Sequence, residues 1–158
     1  MYTDSFSDWI NTFIMLKSPY KWEFVSIHDY SGPIENQEYI EGAIFCVLDG
    51  QVVFSYEQYD YIDQLWCYII LGLTDALSGT TYDGFFPDQP LRLLFEPKGD
   101  FIRLGVGRKL FTFPAKRVIY LLASEGKRVF AAFTRLVPSE KDHWRFFKSK
   151  SEDLLSKI

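Results

Sequence analysis

Apolar and polar positions follow two different periods along this chain, and the changes of period divide it into elements. Across residues 4–16, Phe6, Trp9, Ile10, Phe13, Ile14 and Leu16 recur at mostly three- and four-residue steps. That spacing predicts a helix, with Asp4 or Ser5 as N-cap and Pro19 closing it. Residues 22–28 switch to a period of two, with Trp22, Phe24, Ser26 and His28 on one side and Glu23, Val25 and Ile27 on the other. This predicts a strand. Ser31-Gly32-Pro33 is a turn. Residues 39–48 and 51–56 are β-rich runs joined by Asp49-Gly50, a pair suited to the positive φ angles of a two-residue hairpin. Ile40, Gly42, Ile44, Cys46 and Leu48 make one face of its first strand, and Glu41, Ala43, Phe45 and Val47 the other.

The pattern then returns to the helical period. Ile62, Leu65, Trp66, Ile69, Leu73, Ala76 and Leu77 mark a helix over 59–78 that Tyr68, Ile70 and Leu71 make apolar nearly all round, so it is the expected central helix. Asp60 and Asp63 fall in its first turn, where the helix dipole favours acids, and Gly79 ends it. Residues 80–90 read as an aromatic and acidic loop. Residues 91–96 and 101–106 form a second hairpin around Pro97-Lys98-Gly99-Asp100, and 108–113 adds a short strand. Pro114 introduces a helix over 115–136, and Pro138-Ser139 separates it from a last helix near 140–156. Hairpins followed by helices imply an α+β fold: an antiparallel sheet with a central helix and two C-terminal helices packed on it, in one domain spanning 1–158.

Composition narrows the picture little, but charge order narrows it more. The 158 residues are 47% hydrophobic and 18% aromatic, a globular composition. The many rings supply core volume, interface anchors, or both. Residues 1–97 carry three Lys/Arg against fifteen Asp/Glu, whereas residues 98–158 carry fourteen against six. The net −4 therefore hides halves of −12 and +8, an asymmetry that points either to a charged partner or to pairing between the halves. The longest uncharged apolar stretch, residues 65–73, is too short for a membrane span, and no secretory leader is visible. Cys46 and Cys67 have no metal-like spacing and are expected as reduced, buried thiols in a cytoplasmic protein.

Catalytic and cofactor signatures are missing. His28 and His143 are the only histidines, and neither has a sequence-evident base, nucleophile or metal-ligand set. Gly105-Val106-Gly107-Arg108-Lys109 lacks the third glycine of a dinucleotide loop and the Ser/Thr of a phosphate loop, so it reads as a strand turn. Arg117, Arg128 and Arg135 share a helix face, but a basic face on an amphipathic helix is common. A sequence pI near 5.2 also argues against nucleic acid as the partner. The sequence thus points to a non-enzymatic protein with no cofactor and no metal. Its binding candidates are Glu57, Tyr59, Asp60, Tyr61, Asp63, Tyr82, Asp83 and Asp88. They combine acids that steer a basic protein with rings that anchor it.

Part of the chain resembles a known class. Tyr39-Ile40-Glu41-Gly42-Ala43, the Asp49-Gly50 hairpin, the run from Tyr59 through Trp66, and Phe86-Pro87-Asp88-Gln89-Pro90 resemble small bacterial immunity proteins. The resemblance spans residues 39–95. It implies a cytoplasmic, single-domain inhibitor that binds a cognate toxin domain, and it transfers no catalytic residue; the acidic candidates add the expectation that this partner is basic. The competing expectation is a self-associating structural or regulatory module without a toxin partner, one copy's acidic half meeting the basic half of the next.

Overall fold

The computed structural model describes residues 8–158. The chain opens as strand β1 (Trp9–Lys17), continues through β2 (Trp22–Ser26), β3 (Glu41–Leu48) and β4 (Gln51–Phe54), and passes a 3-10 turn (Tyr56–Gln58). A two-residue strand β5 (Asp60–Tyr61) then leads into helix α1 (Ile62–Leu77). A meander follows: β6 (Tyr82–Phe85), β7 (Arg92–Lys98), β8 (Phe101–Val106) and β9 (Lys109–Pro114). Helix α2 (Ala115–Leu136), a 3-10 turn (Pro138–Glu140) and helix α3 (Lys141–Ser156) complete it. The α+β expectation holds, with the strands divided between two antiparallel sheets, β2-β1-β3-β4 with β5 beside β3, and β6-β7-β8-β9.

The first segment corrects the sequence reading. Residues 9–17 are a strand, not a helix, pairing Phe13 with Ser26 on one side and with Ala43 on the other. Ile10, Thr12, Ile14 and Leu16 face the core, and Trp9, Phe13 and Met15 occupy the opposite face. A strand apolar on both faces loses its two-residue alternation and mimics a helical stripe. The expected caps Asp4 and Ser5, with Phe6, lie outside the described residues. The second correction is β6, which lies inside the expected 80–90 loop and pairs Tyr82 with Phe95 and Phe85 with Arg92.

The Asp49-Gly50 hairpin forms as expected, with φ of 54° and 72° at the two residues. Helix α1 begins three residues later than its period suggested. Ser55 Oγ accepts the Glu57 N–H (3.3 Å) and Gln58 Oε1 accepts the Ser55 N–H (2.8 Å), a capping box that holds residues 56–58 in a separate turn. Helix α1 is central, packing against both sheets and both other helices. Its Trp66 indole donates to Thr12 of β1 at 3.2 Å, while Gly72 lies so close to Phe95 of β7 that a Cβ there would stand 2.3 Å from the ring. Helix α3 adds Trp144, Phe147 and Leu154 to the same core. No helix among the described residues is long and apolar enough to cross a membrane.

Candidate functional site

The pleat of β5 decides the fate of the predicted acids. Asp60 pairs with Gly42 and Tyr61 with Glu41, so Asp60 points to the inner side and Tyr61 to the outer. Asp60 is only 5% exposed. It accepts the backbone N–H groups of Tyr61 (2.6 Å) and Asp88 (3.1 Å) and the Gln89 side-chain amide (3.0 Å). It therefore clamps the segment before β7 rather than meeting a partner.

Asp63, also 5% exposed, sits in the first turn of α1. Its carboxylate takes backbone N–H bonds, including that of Ile40, yet desolvation pushes it up to about 6, and its Oδ1 has no hydrogen-bond partner. Neither buried acid can serve as a surface contact. Asp83 is exposed, but Arg92 holds it bidentately at 2.8 and 2.9 Å and lowers its pKa. Tyr82 turns its ring edge-on to the buried Phe95. Both stand on the second sheet.

The structure nevertheless gathers four of the eight predicted residues. Tyr59, Asp60, Tyr61 and Asp88 line one cavity of about 190 Å³ with Glu41 and Gln89, and Glu57 is exposed on the preceding turn. Among the described residues no Lys or Arg lies within salt-bridge distance of Glu57, Asp60 or Asp88, whereas Glu41 is paired with Lys17. Desolvation and the neighbouring Asp88 raise the Tyr61 phenol above its ordinary value. The group is an acidic rim edged by two phenols, the chemistry that receives ammonium or guanidinium groups.

The sequence reading missed the surface beside this rim. Trp9, Phe13, Trp22, Phe24, Phe45, Val47 and Val52 share the outer face of the first sheet, as the registers Lys17–Trp22, Met15–Phe24, Phe13–Ala43 and Val47–Val52 require. Among the described residues the short turn carrying Tyr56 lies over it, the ring centroid being 5.2 Å from Phe13, 4.9 Å from Phe24 and 5.3 Å from Phe45. Trp9 adds an edge contact to Phe45 at 5.6 Å. The signal is present in the sequence as apolar residues at both parities of β1, Trp9, Phe13 and Met15 alternating with Ile10, Ile14 and Leu16, but a helical reading of residues 4–16 merges them into one stripe.

Elsewhere the titratable groups are held by the fold. His28 Nε2 contacts both oxygens of Glu125 at 3.0 and 3.1 Å, and Thr12 Oγ1 donates to the same carboxylate at 2.8 Å. Glu125 is wholly enclosed, and among the described residues the side-chain hydrogen bonds of His28 go to Glu125. Cys46 and Cys67 are free and buried, their thiols pushed up to about 12 mainly by desolvation, the opposite of an activated nucleophile.

Gly107, at φ 61°, lies in the expected turn between β8 and β9, and its N–H donates to Arg92 O of β7 at 2.8 Å. Arg117 joins the charge halves by bonding Asp8 (2.7 Å) and Asp49 (2.9 Å). Among the described residues no group of three or more His, Cys, Asp and Glu side chains could hold a metal ion. No protein-family model, curated protein or solved structure matches the chain.

Proposed function

We propose that this chain is a non-enzymatic protein-binding domain, an immunity protein that neutralises a bacterial toxin by covering a basic surface of it. One observation carries the reading: among the described residues the exposed Asp88, beside Tyr59 and Tyr61 at one cavity, and the exposed Glu57 on the preceding turn lack a cationic partner. Leaving charges unpaired next to large rings costs a folded chain through repulsion and ring exposure, and a basic partner removes both costs. The contact set is Glu57, Tyr59, Tyr61 and Asp88, while Asp60 positions Asp88 from beneath. The protein would act in the cytoplasm of the toxin producer.

The test uses the C-terminal domain of the secreted protein encoded directly upstream, the partner that this function requires. Glu57→Lys combined with Asp88→Lys should slow association at least about tenfold at low salt, with the gap narrowing as salt rises. Unchanged association would remove the rim from the interface. A chromosome with no such neighbouring frame would remove the immunity function itself.

A further inference from the structure

The outer face of the first sheet is too apolar for an ordinary solvated sheet face. Antiparallel sheets that expose one face normally alternate polar residues there, yet this one carries Trp9 (46% exposed), Trp22 (62%) and Val52 (39%) around the half-buried Phe13, Phe24, Phe45 and Val47. The second sheet shows the usual arrangement. Its outer face pairs Arg92 with Asp83, and Glu96 with Lys98 and Arg103, between isolated apolar residues.

The charges on the strands bordering the aromatic face, and on the turn before β2, belong to compensated pairs. Lys17 pairs with Glu41 and also lies over the Trp22 ring at 4.8 Å, and Lys21 lies 3.6 Å from Glu23. Of the acids without a cationic partner among the described residues, Glu57 follows Tyr56 on the turn at the border of the face, and Asp88 stands with Tyr61 at the acidic cavity.

We infer that this face is the twofold interface of a homodimer. A face that meets its own copy across a twofold axis brings like against like, so it must carry little net charge, and the compensated border meets that condition. A basic heteromeric partner is instead selected by unpaired acids, and the strands of the face carry none, since Glu41 and Glu23 are both paired. The partly exposed rings and valines leave on the order of 500 Å² of apolar surface per copy. With the polar border this reaches the roughly 800 Å² per partner of a standard interface. Trp9, Trp22 and Tyr56 supply large anchors near the face, and two such sheets pack face to face at a separation of about 10 Å. Self-association here differs from meeting of the acidic and basic halves, which would form an open chain of copies and dissolve in salt.

Sedimentation velocity of the full chain, over a protein range of about 1 to 200 µM, should show a monomer–dimer equilibrium that persists at high salt. Trp22→Glu and Val52→Glu, at opposite margins of the face, should each weaken the dimer at least about tenfold. Trp22→Phe should retain it. Phe85→Glu, a 64% exposed ring on the other sheet, should leave it unchanged, and circular dichroism verifies that every variant is folded. A monomer throughout the range overturns the inference. So does a dimer indifferent to both glutamates, or one that salt dissociates.

Discussion

Replacing Asp63 with asparagine isolates one buried carboxyl whose titration couples to folding. In the native chain Asp63 ionises at about 6 rather than 3.8, because burial penalises its charge more than its backbone N–H bonds favour it. The folded state therefore binds this proton more tightly than the unfolded state does. Its contribution is fully present below pH 4, is lost as pH rises through about 6, and stays lost above that. A difference of about two pKa units at 1.36 kcal/mol per unit sets the loss at about 3 kcal/mol.

Asparagine keeps an oxygen for the Ile40 N–H and places its amide nitrogen where Oδ1 has no partner, and it does not titrate. The stability of Asp63→Asn minus that of the native chain should thus climb by about 2–3 kcal/mol between pH 4 and pH 7.5. Urea unfolding followed by tryptophan fluorescence at half-unit pH steps measures this. All other titrating groups cancel in the difference, as does any fixed cost of the amide. A difference flat to within about 0.5 kcal/mol, or one that falls with pH, would refute the assignment.

Two further substitutions probe the packing around this helix. Gly72→Ala should destabilise by about 1–3 kcal/mol despite alanine's better helix propensity, because its Cβ would lie 2.3 Å from Phe95, a fully buried ring; a gain in stability by thermal unfolding would contradict it. Glu125→Ala should cost about 3–5 kcal/mol, since it strands the hydroxyl of Thr12 and the ring of His28 around a buried void, and Glu125→Gln should cost clearly less. Equal losses in chemical denaturation would show that the network is not held by its carboxylate.

Legibility in the sequence followed how many neighbours each element needed. The Asp49-Gly50 hairpin and helix α2 were readable because turn chemistry and a one-sided stripe after Pro114 are local. Strand β1 was not: flanked by β2 and β3, it buries one face under α1 and α2 and lends the other to an aromatic cluster, and only the sheet explains both. The acidic site was half legible for a related reason. Composition located the acids between Glu57 and Asp88, but a one-residue alternation in β5 turned Asp60 inward and Tyr61 outward. Ser55 and Gln58 carried the sign of that interruption, since their capping box starts a separate 3-10 turn ahead of α1.

The division of charge between the two halves now resolves into parts with different fates. Arg117 ties Asp8 and Asp49 to α2, Arg128 lies 3.2 Å from the enclosed Glu125, and Arg135 donates to the carbonyls of Ile27 and Tyr30. Much of the basic face of α2 thus fastens the first sheet and the turn after β2 to the helix. Glu57 and Asp88 take no part in this fastening, so an excess of negative charge survives beside an electrically quiet aromatic face. Two neighbouring surfaces of such different character need not compete. A twofold dimer through the neutral face would leave an acidic rim free on each copy, and two rims would engage a paired basic target with a gain in avidity set by geometry. The opposed salt responses of the two contacts, one screened by ions and the other not, allow each to be measured while the other persists.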